Sequence, residues 1–185
     1  MILATAKLKS LSTYGQSQYW KKEKLKNETE DACEERCWRQ RMHVNADGYV
    51  YIPPMAFKNA LASAAKYLNI KIPGGGHATY TKHFRSGVQV VDSLVLPIKA
   101  DDVKPTSLFV PSNGRSGGGA RVKKLFPTIS SWQGSVTYHI FDTKIDQKIF
   151  REVLEASGQF IGVGMFRPEN GGYWGIFEVK SLSWK

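Results

Sequence analysis

Hydrophobic and polar positions along the chain divide it into short segments of different period. Ile2 to Leu11 alternates in places, with Lys7 and Lys9 inside it, and predicts a first strand. Glu28 to Met42 is rich in helix formers and predicts a helix. Tyr49 to Ile52 predicts a short strand after Gly48. Pro53 and Pro54 then open a helix over about Met55 to Leu68, since proline is tolerated in a first turn. Phe57, Leu61, Ala64, Ala65 and Leu68 share one face of that helix. Val88 to Ile98 is apolar and β-branched and predicts a strand, with a second short one at Leu108 to Val110. Val136, Tyr138 and Ile140 alternate cleanly within Ser135 to Phe141. Ile145, Ile149, Phe150, Val153 and Leu154 mark an amphipathic helix over Ile145 to Ala156, with Gly158 placed to stop it. Phe160 to Val163 and Tyr173 to Val179 predict closing strands around a glycine-rich turn. The order is strand, long insertion, short strand, helix, strands, helix, strands. Without insertions it approximates the split βαβ pattern, so the expected class is α+β, with a ferredoxin-like core of antiparallel sheet and two helices. One domain over 1–185 is expected, with 14–42 and 111–124 as insertions.

Composition changes the picture in one respect. Of 185 residues, 42% are hydrophobic, ordinary for a globular protein. No apolar run approaches the roughly 18 residues of a membrane helix, and the N-terminus lacks a signal-like apolar block, so a cytoplasmic protein with no membrane partner is expected. The charge is +10, which favours polyanions and nucleic acid first among them. From Val103 to Phe141 there is no Asp or Glu, whereas the stretch carries Lys104, Arg115, Arg121, Lys123 and Lys124. Cys33 and Cys37 fall short of the four ligands usual for zinc, and two reduced, partly buried thiols are expected, with no metal and no cofactor.

Four features carry candidate chemistry. In SNGRSGGGARVKK, Ser112 to Lys124, the backbone of Gly117, Gly118 and Gly119 can approach phosphate oxygens, with Arg115, Arg121, Lys123 and Lys124 around them. A plain surface loop is the alternative, and the missing Gly-Lys-Ser/Thr ending excludes a P-loop. In Gly158 to Gly175, Gly162 and Gly164 allow close backbone approach to a nucleic acid, with Arg167 on a phosphate. The alternative there is a hairpin with aromatic packing. Trp38, Arg39 and Arg41 suit base stacking and phosphate pairing, or else Trp38 belongs to the core of an amphipathic helix. Lys58, early in its helix, strengthens an anion site at the N-terminus. His43, His77, His83 and His139 could serve acid–base cleavage of RNA, but nothing brings two of them together.

Three segments resemble a known family: ILATAKLKSLS at the start, GYVYIPPMAFKNALASAAKYL in the middle, and GQFIGVGMFRPENGGYWGIFEV at the end. They look like the RAMP superfamily of RRM-like proteins, which includes the backbone subunits of CRISPR effector complexes. Lys58 falls at the basic position of that family's strand-helix element. The last segment resembles its glycine-rich loop, departing from it by Pro168 and Glu169. ERCWRQRMHV and FIGVGMFRPENGGYWG are similar to phage-encoded relatives. The resemblance implies sequence-independent binding of single-stranded RNA or DNA, self-association into a filament, and other CRISPR effector subunits as partners. It implies a strand-kinking thumb, placed in Tyr14 to Met42 or near Gly117. A non-catalytic role is expected; a RAMP-type endoribonuclease using His43, His83 or Asp31, or a phage mimic that inhibits an effector complex, are the alternatives.

Overall fold

The computed structural model describes residues 1–112 and 120–185. Among these, the strands are β1 (Ile2–Ser10), β2 (Tyr14–Gly15), β3 (Tyr49–Ile52), β4 (Val88–Val90), β5 (Leu94–Lys99), β6 (Lys104–Pro111), β7 (Arg121–Ile129), β8 (Gln133–Ile140) and β9 (Phe177–Trp184). The α-helices are α1 (Glu30–Cys37), α2 (Pro54–Leu68), α3 (Thr81–Gly87) and α4 (Gln147–Ala156).

The central sheet has the order β4-β8-β1-β9, with every neighbouring pair antiparallel. α2 lies in the connection from β1 to β4, and α4 in the connection from β8 to β9. Each helical connection skips one strand position, an arrangement consistent with a ferredoxin-like core. Ala4, Ala6 and Leu8 of β1 and Val136, Tyr138 and Ile140 of β8 are buried on one face. They form one core with Phe57 and Leu61 of α2 and Phe150, Val153 and Leu154 of α4. The small residues Ala60, Ala64 and Ala65 are also buried on α2, which lets that helix sit close to the sheet.

The other face of β1 and β8 is polar. Thr5 and Thr137 meet across the strands with hydroxyls 3.1 Å apart, and Lys7, Lys9, Gln133 and Ser135 are exposed. An RRM stacks bases on aromatic side chains of this face. The outward positions of β1 and β8 hold Leu3, Thr5, Lys7, Lys9, Gln133, Ser135, Thr137 and His139, with no aromatic ring of Phe, Tyr or Trp among them.

Several expected elements are redrawn by tertiary packing. The helix expected over Glu28 to Met42 ends at Cys37 and tightens into a 3₁₀ turn over Trp38–Arg41, which turns Trp38 and Arg41 inward. The strand expected over Val88 to Ile98 is two strands, broken over Val91 to Ser93, and α3 precedes it. Phe160 to Val163 is not a strand. The chain continues from α4 through a wide π-helical turn, Ser157–Ile161. Gly158 does not stop α4; it permits contact with the Phe177 carbonyl, which a Cβ would strike.

A second sheet, β2-β7-β6, lies beside the first in the chain's connections. β2 pairs with the end of β7 only, at Tyr14↔Ile129 and Gly15↔Thr128. Beyond that point, α1 takes the place of a strand. Glu34 accepts the Leu125 amide at 2.8 Å, and Arg41 donates to the Leu125 carbonyl at 2.8 Å.

α3 is tied to the end of β8 by His83, whose Nδ1 lies 2.6 Å from Asp142 Oδ2. This contact holds the Asp142 carboxyl below its usual range. A depressed carboxyl pKa adds stability above the unfolded value, about 3.9, and loses it as pH falls through the folded one. Asp142→Asn is therefore expected to flatten the acid side of the stability curve below about pH 4. Urea unfolding of both proteins across pH 2–6, a range that brackets about 3.9, checks this.

Candidate nucleic-acid interface

α2 opens at Pro54 in its first turn and buries one face on the sheet. Its opposite face presents Met55, Lys58, Asn59, Ala62, Ser63 and Lys66, a stripe at i, i+3 and i+4 spacing. This stripe is the floor of a groove. At one end a cleft of about 270 Å³ includes Gln16, Ser17, His43, Gly164 and Met165. At the other a cleft of about 790 Å³ includes Lys66, Thr81, Arg85, Gln89 and Glu169. Met55, Asn59 and Arg167 line both, so the two adjoin there.

The glycine-rich segment forms one wall. It is held by its own backbone and by the chain after β1: Val163 N donates to Gly175 O, Met165 N to Gly15 O, and Gly175 N to Thr13 O. Gly162 and Gly164 both have positive φ. A Cβ on Gly164 would lie 2.5 Å from the Gly15 carbonyl oxygen and 2.5 Å from Tyr14 Cε2. Their close approach is thus to the protein's own chain, the aromatic-packed alternative, and it fixes the wall of the groove. Phe166 is held at φ 51° between Phe126 and Trp174, with edge-to-face ring separations of 5.3 and 5.2 Å.

Arg167 is fixed at the junction of the two clefts. Its guanidinium donates to Glu169 at 2.9 and 2.7 Å and to the Gly164 carbonyl at 3.2 Å. Burial pushes the Glu169 carboxyl up, but its hydrogen bonds to Ser63 and Arg167 outweigh this and hold it below the usual range. Glu169 offsets much of the Arg167 charge, so the groove's remaining exposed cations are Lys66, which also feels the Glu169 charge, and Arg85.

Lys58 lies on the groove's floor with its ammonium turned to α3, donating to the carbonyls of Phe84 at 2.8 Å and Arg85 at 2.7 Å. Burial lowers its pKa from the ordinary lysine value. It anchors the helix that carries Arg85. Hydrogen bonds from a charged donor contribute about 1.5–3 kcal/mol. Lys58→Met is therefore expected to lose about 2 kcal/mol of stability without any nucleic acid present, read as a lower urea midpoint at unchanged slope.

The other expected contacts lie elsewhere. Trp38 is in the core, its Arg39 neighbour stacked 4.4 Å from its ring, so Trp38 cannot take a base. Arg41 is buried in a two-pronged ion pair with Glu34, at 2.7 and 3.0 Å, and cannot reach a phosphate. Arg39 is exposed. Arg121, Lys123 and Lys124 line a third cleft, of about 600 Å³, opposite Glu30, Asp31 and Glu34 of α1. Lys123 pairs with Glu35 at 3.2 Å. The stretch that is free of acid in sequence is therefore faced in space by acids of α1 together with Lys22 and Arg41, which pair with two of them. Arg115, Gly117, Gly118 and Gly119 lie outside the described residues. Of the histidines, His43 borders the smaller cleft, where burial lowers its pKa, whereas His83 Nε2 is buried with no partner among the described residues.

Lys66, Arg85, Met55 and Asn59 were not among the expected contacts. The polar stripe of α2 carried a signal for Lys66, eight residues after Lys58 on the same face. Nothing in the sequence around Arg85 marks the short helix that presents it.

No protein-family model matches the chain, and no curated protein matches it significantly. Solved structures do. A chain of a Type III-B Cmr-beta assembly bound to cognate target RNA aligns with TM-score 0.53 and 10% identity, covering 99% of this chain and 60% of that one. Cmr6 from Pyrococcus furiosus aligns with TM-score 0.48 and 15% identity, covering 97% and 98%. This chain thus spans only 60% of the length of the first of these. At 10% identity the likeness is one of fold, and it agrees with the resemblance to RAMP-type CRISPR subunits that the strand, helix and glycine-rich segments carry.

Proposed function

We propose that this protein binds single-stranded RNA through its phosphate backbone, independently of sequence, as a non-catalytic subunit of a CRISPR-type ribonucleoprotein. The groove along α2 carries this reading. It is made of two adjoining clefts, with small and polar residues of α2 on the floor, Lys66 among them, and Arg85 on the α3 side. Cations spaced along an open groove suit a strand whose charges repeat, and they do not read bases. The fold shared with a chain of an assembly described as bound to cognate target RNA supports the same reading.

The core is read as an RRM-like topology whose sheet face is not the RNA platform, since the outward positions of its central strands carry no Phe, Tyr or Trp ring for stacking on bases. Segments 14–42 and 111–124 are read as insertions, with Glu35 of the first paired to Lys123 of the second, and a thumb is assigned to one or the other. Self-association along one strand, and contact with other effector subunits, follow from the same reading.

The test is fluorescence anisotropy with labelled RNA strands of unrelated sequence at about 50 mM salt, where phosphate contacts are strong. Equal affinities across sequences, with RNA intact with or without divalent metal, are expected. No binding to any strand overturns the reading, and cleavage overturns its non-catalytic part.

A further inference from the structure

Near the groove stands a pair of exposed aromatic rings. Tyr67, 62% exposed, is the next residue after Lys66 on α2, and Phe160, 41% exposed, sits on the π-helical turn after α4. Their centroids are 5.3 Å apart with the planes tilted by 31°. Tyr67 lies one helical turn after Ser63, which lines the groove. Tyr67 therefore stands at the edge of the α2 face that lines the groove, next in the chain to Lys66, and neither ring lines the clefts themselves.

Two exposed rings at this spot call for an explanation beyond packing. Large apolar side chains on a surface are individually ordinary. Here one is supported from beneath by another, and the support comes from a π-helical turn, a rare element often found at functional sites. The support fixes the orientation of the Tyr67 ring before any ligand arrives, which lowers the ordering cost of a contact on its free face. The adjoining Lys66 supplies a charge for a phosphate.

We propose that Tyr67, backed by Phe160, stacks on one unpaired base of the strand whose backbone lies along α2. This rests on the backbone-binding function proposed above and deepens it: the ligand is a single strand with one accessible base at the groove's Tyr67 end. A duplex, whose bases are paired and stacked on each other, does not fit. Every base has a flat face, so the contact adds affinity without adding sequence preference.

The experiment compares an oligouridine strand with its abasic counterpart, by anisotropy, on the wild-type protein and three variants. Tyr67→Ala is expected to weaken the oligouridine by on the order of tenfold, the scale of one base–aromatic contact, and to leave the abasic strand unchanged. Tyr67→Leu, which keeps apolar bulk over Phe160 but no flat ring, is expected to behave as Tyr67→Ala does. Tyr67→Phe is expected to bind like the wild type. If Tyr67→Ala and Tyr67→Leu bind oligouridine like the wild type, the stacking assignment falls. It falls equally if they weaken both strands alike, or if they change the mass of the protein in solution, which would make the ring pair a protein contact. Lys66→Gln with Arg85→Gln, run alongside, separates the two proposals. It should weaken both strands, and if it weakens neither, the groove itself is wrong.

Discussion

Glu34→Ala is expected to destabilise the protein by about 3–5 kcal/mol, the cost of removing one partner from a buried ion pair. Glu34 is almost wholly buried, and its carboxylate accepts from both Nη1 and Nη2 of Arg41 and from the Leu125 amide. Removal would leave the Arg41 guanidinium buried without its counter-charge and the Leu125 amide without an acceptor. That amide matters because β7 has no strand partner there on its α1 side; β2 pairs only at Thr128 and Ile129. Glu34 and Arg41 close an edge that would otherwise expose an unsatisfied donor and acceptor. Replacing both residues by apolar ones would remove the stranded charge but not restore the two Leu125 hydrogen bonds, so recovery should be partial. The pH dependence has the same origin. Burial pushes the Glu34 carboxyl up, but Arg41 and the Leu125 amide more than reverse this, leaving it below the usual range. Its contribution is present above the unfolded value, about 4.3, and is lost as pH falls through the folded one. Urea unfolding at neutral pH, with tryptophan fluorescence as the probe, reads the loss directly.

Lys66→Glu combined with Arg85→Glu is expected to lower the affinity for single-stranded RNA by on the order of 100-fold at low salt, from two lost charge-assisted contacts. Both side chains are exposed, so the fold should survive the change. Arg121→Glu with Lys124→Glu provides the contrast. Those residues face α1, where Lys123 is already paired with Glu35 and Asp31 lines the same cleft, while Glu30 and Glu34 are matched by Lys22, Lys24 and Arg41. A smaller loss is expected from that pair than from the groove pair.

The central elements were legible because their patterns are local. The period-two alternation of Val136, Tyr138 and Ile140 and the apolar stripes of α2 and α4 reappear as buried faces of one core. The antiparallel α+β class followed from their order. The site was legible only in part, for reasons that are tertiary. Arg41 looks like a phosphate ligand in sequence because nothing there singles out its partner Glu34 from the other acids of the Glu28 to Met42 segment. Only the turn at Trp38–Arg41 swings the guanidinium back onto that carboxylate. The acid-free stretch promised a one-sided field, yet α1 comes from another part of the chain and packs against β7. Gly162 and Gly164 did mark a close backbone approach, and the neighbour is Tyr14–Gly15 of the same chain. α3 carries neither a long apolar period nor a capping side chain, so Arg85 could not be placed without the fold.

The most direct measurement is the affinity for single-stranded RNA as a function of salt, for the wild type and for Lys66→Gln with Arg85→Gln. Each phosphate neutralised on a single strand contributes about −0.7 to the slope of log Kobs against log salt. The groove account predicts a steep negative slope for the wild type and one shallower by about 1.4 for the variant, two contacts at 0.7 each. A flat wild-type line, or a slope that the two substitutions leave unchanged, would contradict it.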